Sequence, residues 1–194
     1  PKAFKYVTAP IFFWSTEPIT LKNDIDKLLN SNIFKWVFVH TYSCLNRIKN
    51  EFHHLINICS VIHNACPKHL IVNSYNKSQF AIFNRNLSLR RKTWLEPSTN
   101  LVNIISGKFG EGYYKDLRNS NIAINIHYSN RNLDDFETGI FEAMASGCVV
   151  VSERLDQKSL NDLNLDDIII QVNNPKELLS ILIDLKSNPK LINQ

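Results

Sequence analysis

Short apolar runs alternate with helix-spaced apolar patterns along nearly the whole chain. This alternation restricts the fold more than any other feature. A strand buried on both faces reads as a brief apolar run, whereas a helix lying on a sheet repeats its apolar residues every three or four positions. Strand and helix in regular succession argue for an α/β fold with a mainly parallel sheet. Residues 5–9 and 11–14 read as strand material interrupted by Pro10, with further strands at 35–40 and 56–62. Between them Leu21, Ile25, Leu28 and Leu29, and then Leu45, Ile48, Phe52 and Leu55, fall at helix spacing. Residues 63–77 break the pattern with Pro67 and several asparagines, which marks a linker.

A second alternation follows. Residues 79–83, 102–106, 122–127, 148–152 and 168–172 read as strands, and 87–95, 113–119, 136–146, 156–163 and 175–186 as helices. Gly107, Gly110 and Gly112 mark a turn, and Gly147 a C-terminal helix stop. The expected division is a partial N-terminal α/β domain with its linker over 1–73, then a complete Rossmann-like domain over 74–194. An apolar stretch follows Pro1 almost at once, as though an upstream portion of a longer protein were missing.

Composition narrows the function. With 194 residues, 44% of them hydrophobic, the chain can bury a sizeable core without staples. Its four cysteines show no regular framework and read as reduced thiols of a cytoplasmic protein. No apolar run approaches the length of a membrane span. The net charge of +4 suits a phosphorylated small molecule, nucleic acid or anionic lipid. No basic-aromatic RNA signature accompanies it, so nucleic acid is not the expected partner. Peripheral contact with the inner face of a membrane stays open.

The stretch from Asp134 to Glu153, DDFETGIFEAMASGCVVVSE, is the most informative. A loop after a parallel strand opens onto a helix, and ligands of open α/β sheets sit at such carboxyl ends. The helix N-terminus, with the amides of Thr138, Gly139 and Ile140, suits a diphosphate. Gly139 lets the backbone approach a ligand closely. Glu142, about one turn into the helix, can accept hydrogen bonds from the vicinal hydroxyls of a ribose. Upstream, Arg85 and Arg90 offer bidentate donors to phosphate oxygens. On spacing alone, Arg90, Arg91 and Lys92 read as the solvated face of a short helix. His127 closes a strand beside the ligand loop, where it bonds either a phosphate or sugar hydroxyl or a loop carbonyl.

These motifs resemble the donor-binding C-terminal domain of GT-B glycosyltransferases. Retaining members carry Glu, seven residues, Glu, then Ala-Met-Ala-x-Gly and a Val-Val strand, and residues 136–153 are similar. Glu142 matches the second acid, which the resemblance assigns to the ribose. Asp134 falls at the first acid, with a shorter reach toward the donor sugar, and Glu137 stands ready to take over that role. The family's Gly-Arg, four residues, Lys is matched by Asn84-Arg85 and Arg90. Residues 107–127 resemble a family segment ending in Asn-x-His, closest to the spore-maturation CgeB-like group among group 1 glycosyl transferases. A Glu-Pro pair, here Glu17-Pro18, belongs to the same likeness.

The resemblance implies a GT-B type fold: a Rossmann-like parallel-sheet donor domain with a partial N-terminal α/β domain. It also implies transfer of a sugar from a nucleoside diphosphate sugar to a glycan, lipid-linked or protein acceptor, with retention and without metal. Arg85, Arg90, Glu137 and Asp134 are its catalytic candidates. Glu142, Thr138, Gly139, Ile140 and His127, again with Arg85 and Arg90, are its nucleotide-sugar contacts. A missing N-terminal half or a partner chain would complete the acceptor side. The truncated first domain and the changes at Asp134 and Asn84 also suit a non-catalytic nucleotide-binding module. A polyanion-binding protein relying on charge alone is the third class.

Cys59, His63, Cys66 and His69 are zinc-capable, but C-x3-H-x2-C-x2-H lacks the tight pairs usual in zinc sites. Trp14, Trp36 and Trp94 read as core or interdomain packing. Tyr113 and Tyr114 read as helix packing, with nucleobase stacking as their other role.

Overall fold

The computed structural model describes residues 8–15, 24–71, 76–130 and 136–192. Residues 5–7 of the first expected strand, Leu21, Glu17-Pro18 and Asp134 lie outside the described residues, as does the expected division at 73/74.

Two parallel sheets follow one another along the chain. The first has three strands, β1 (Ile11–Ser15), β2 (Phe34–Val39) and β3 (Cys59–Val61), in that spatial order. Helices α1 (Asp24–Leu29) and α2 (Tyr42–Glu51) make its crossovers. Val37, Val39 and Cys59 pack with Leu29, Leu45, Ile48 and Leu55 into one core on one face of this sheet. Thr41 starts α2 by accepting the Cys44 amide at 3.2 Å.

The structure differs here from the expected elements. Helix α2 stops at Glu51, and His53–Ile58 forms a 3-10 turn where a helix end and then a strand were expected. The Leu55 amide donates to the Phe52 carbonyl and the Leu55 side chain is buried. An apolar run cannot by itself tell a buried turn from a strand, and β3 is correspondingly short.

The second sheet has five strands in the order β5-β4-β6-β7-β8. They are β4 (Gln79–Asn84), β5 (Val102–Ile105), β6 (Ser120–Asn125), β7 (Val149–Glu153) and β8 (Ile170–Val172). Five helices connect and cover them: α3 (Leu89–Leu95), α4 (Glu111–Arg118), α5 (Thr138–Ala145), α6 (Gln157–Asp162) and α7 (Pro175–Ser187). Successive strand residues face opposite ways. Ala81, Phe83, Ile122, Ile124 and Val151 join Trp94, Leu178 and Leu182 of α3 and α7. Ile82, Ala123 and Val150 join Leu117, Ile140, Ala143 and Leu160 of α4, α5 and α6. The sheet is therefore covered on both faces, which is why its strands read as continuous apolar runs.

From β4 the chain moves to β5 on one side and then returns to β6 on the other. The strand order reverses there, so a crevice opens at the carboxyl ends of β4 and β6.

Hydrogen bonds tie the sheets together. Asp156 caps α6 by accepting the Ser159 amide at 2.7 Å, while its other oxygen accepts the Ser43 amide of α2 at 2.8 Å. The Tyr42 hydroxyl donates to Asp162 at 2.5 Å. Buried Asn64 donates to the Phe136 carbonyl, just before α5, at 3.3 Å.

Candidate functional site

A cleft of about 460 Å3 occupies the reversal point. Asn84, Arg85 and Asn86 enter it from the end of β4, residues 107–110 from the end of β5, and Tyr128 from beyond β6. Glu137 faces it from the cap of α5 and Glu142 from just past its first turn.

Arg85 Nη1 donates to Glu137 Oε2 at 2.6 Å, and Arg91 Nη2 donates to Glu137 Oε1 at 3.2 Å. One carboxylate thus holds two guanidinium groups side by side. Arg91 is buried and fixed further by the carbonyls of Ile126 at 2.7 Å and Asn86 at 2.9 Å. Burial pushes its guanidinium down from the ordinary range, and Glu137 opposes that shift. Rings of Phe83 and Tyr128 flank it at 5.6 and 5.4 Å.

Glu142 receives the Tyr114 hydroxyl at 3.0 Å. Burial raises the Tyr113 phenol well above its usual range, against the pull of Arg85 and with the help of Glu142. Tyr114 is raised too, by burial first and by Glu142 next. Both phenols therefore stay protonated at neutral pH, as hydroxyl donors beside a carboxylate.

The remaining wall is the loop from Gly107 to Gly110, whose end glycines take φ of +79° and +61°. Only a residue without a Cβ adopts such angles readily. Lys108 donates to Asp116 at 2.8 Å, and Asp116 also accepts from Asn84 at 3.3 Å, so the loop is tethered to the end of β4. Phe109 and Tyr128, 79% and 60% exposed, stand at the rims. Three cations, Arg85, Arg91 and Lys108, line the cleft with two carboxylates.

The geometry departs from the sequence expectation at several residues. Arg90 does not line the cleft. Its guanidinium pairs with both oxygens of Glu153, reaches the His127 carbonyl at 3.0 Å and donates to Asn130 at 2.5 Å. Those bonds clamp the ends of β6 and β7. The second guanidinium of the cleft is its neighbour Arg91, which simple spacing set on a solvated face. With Ser88 as the cap of α3, accepting the Arg91 amide at 3.2 Å, Arg91 turns back over β4. That capping serine is the signal that helix spacing alone overlooks.

His127 is buried outside the cleft lining, its Nε2 donating to the Arg154 carbonyl at 2.7 Å. This is the loop-carbonyl role. Gly139 does permit a close approach, but the approaching group is Arg85: a Cβ there would overlap its guanidinium. Thr138 begins α5, Ile140 packs into the core, and the Ile140 amide donates to the Glu137 carbonyl. The start of α5 is thus covered by Arg85 and by Glu137, whose negative charge suits the helix dipole. Among the described residues no His, Cys, Asp and Glu side chains are grouped as metal ligands. Cys59 is buried in β3, and burial pushes its thiol up to about 11.

No protein-family model and no curated protein matches the chain. Among solved structures it is similar to HepE of Anabaena, crystallised in complex with UDP-glucose. The TM-score is 0.65 at 11% identity, over 93% of this chain. The chain spans 64% of the length of that structure. This likeness shows the fold, an α/β architecture of GT-B type with Rossmann-like parallel sheets.

Proposed function

We propose that the cleft binds a nucleoside diphosphate sugar and that the protein transfers the sugar to a glycan, lipid-linked or protein acceptor. The observation that carries this reading is the convergence of Arg85, Arg91 and Lys108 with Glu142 in one cleft at the strand-order reversal. A diphosphate needs several donors and a ribose needs a carboxylate, and the cleft offers both. HepE was crystallised with such a nucleotide sugar. The three cations offset the charge of a departing diphosphate, so the reading requires no metal. Retention of configuration belongs to the proposal through the spacing of Asp134 and Glu142. So do the division at residues 73/74, membership of the CgeB-like group and a cytoplasmic setting with contact at the inner membrane face. For that setting, the described residues contain no helix long and apolar enough to cross a membrane.

One observation favours the non-catalytic alternative. Glu137, the acid expected near the donor sugar, is already held by Arg85 and Arg91. A module of this kind would bind the nucleotide and leave the sugar untouched.

Calorimetric titration with UDP, GDP, ADP and CDP tests the reading. Selective binding of one nucleotide, weakened about tenfold or more by Glu142→Ala and by Arg91→Ala, is the expected result. Failure of every nucleotide to bind would overturn it. Release of labelled sugar from a donor that binds separates the enzyme from the module.

A further inference from the structure

A second cavity, of about 540 Å3, lies where the two sheets meet, lined by Glu153 of the Arg90–Glu153 pair and sharing no residue with the first cleft. Tyr42 and Asn46, one turn apart on α2, form one wall. Arg154, Gln157, Lys158 and Asn173, beyond the carboxyl ends of β7 and β8, form the other. We infer that this cavity binds an anionic, polyhydroxylated small molecule, its oxyanion on Arg154 and its hydroxyls on the surrounding amides.

The charge arrangement carries the inference. The two carboxylates of the wall are already engaged. Glu153 is paired with Arg90, and Asp156 accepts one amide on each oxygen. Of the two cations, Lys158 lies over the Tyr42 ring at 3.7 Å and within 3.8 Å of Asp162. Among the described residues the Arg154 guanidinium has no hydrogen-bond or ion-pair partner, and its planar fork matches phosphate or carboxylate. The cavity therefore presents an unbalanced positive charge.

The amides set the rest of the ligand. Gln157 Nε2 is committed to Asn161 at 2.8 Å and Asn173 Nδ2 to Glu177 at 3.1 Å, which leaves their carbonyl oxygens to accept from hydroxyls. Asn46 has neither end committed among the described residues and offers a donor and an acceptor. An apolar ligand gains little in such a space, and a neutral sugar leaves the guanidinium unanswered.

The site is separate from the first cleft, so its test is separate as well. Isothermal titration of the chain with glucose 6-phosphate, glucuronate, glucose and inorganic phosphate reads the ligand chemistry. Glucose 6-phosphate or glucuronate binds more tightly than glucose and phosphate alone, and the better of the two names the oxyanion. Arg154→Ala weakens that binding about tenfold or more. Arg85→Ala leaves it unchanged. Nucleotide binding shows the opposite dependence. Equal affinity for glucose and its anionic forms overturns the inference, as does loss of binding in Arg85→Ala with Arg154→Ala unaffected. An unchanged melting temperature in both variants excludes misfolding as the cause. If nucleotides fail to bind while the Arg154 dependence holds, the proposed function falls and this site stands.

Discussion

Both sheets are wholly parallel, yet they are covered differently. The five-stranded sheet has helices and a buried core on each face. The three-stranded sheet has its described core on one face, and on the other Phe12 and Trp14 are 58% and 56% exposed. Their neighbours in register, Trp36 and Phe38, are half-buried, with the Phe12 and Phe38 rings 6.5 Å apart. The first cleft stands entirely on residues carried by the doubly covered sheet and its connections. A ligand crevice of this kind depends on strands whose ends are held in register from both sides, and only the second sheet supplies that among the described residues.

This contrast can be broken at its strongest point first. Phe83→Ala, in the core beneath the cleft, should cost about 3–5 kcal/mol by denaturant unfolding, and a loss below 1 kcal/mol would mean that the sheet is less tightly packed than described. Arg90→Ala strands the buried Glu153 carboxylate and should cost about 3 kcal/mol. Unchanged stability in that variant would return Arg90 to the list of ligand contacts. Asp156→Ala removes the cap of α6 together with the acceptor for α2, with an expected cost of about 1–2 kcal/mol, read from the thermal midpoint.

A smaller effect concerns acid. The Tyr42 hydrogen bond, with Lys158 and His63, holds the exposed Asp162 carboxyl below its usual 3.8. A depressed carboxyl stabilises the fold above its unfolded value, and that contribution is lost as pH falls through the folded one. Tyr42→Phe should therefore narrow the difference in melting temperature between neutral pH and pH 3. An identical acid profile for the two proteins would remove the bond from the account. At the bottom of the scale, Trp14→Ser should change stability by no more than about 0.5 kcal/mol. A large loss there would show that the aromatic face is covered after all.

Periodicity revealed most of the second sheet because strands buried on both faces and helices buried on one leave different repeats. The same logic misled at β1. Phe12, Phe13 and Trp14 form an apolar run like those of β4 and β6, yet only one face of β1 belongs to the described core. A run of apolar residues states that either face suits burial, not that a neighbour is present to bury it. The cleft takes in Glu142, singled out by its position a turn into a helix, and Arg85, singled out through the motif that resembles the glycosyltransferase pattern. Arg90 and Arg91 were not legible from spacing, because adjacent helix residues point about 100° apart. Their roles depend on which residue caps α3. At Gly139 the group that comes close is a side chain 54 residues earlier in the chain, Arg85 just past the end of β4, a contact between separate elements that local pattern does not encode.

The Asp156 carboxylate takes one amide from a helix of each sheet. Mechanically this is a pin rather than a weld. Swivelling one sheet against the other about that point can keep both bonds, whereas sliding them apart breaks one and uncaps a helix. Asn64, bonded to the Phe136 carbonyl just before α5, is a second point of attachment, and with it the sheets resist rotation as well as sliding.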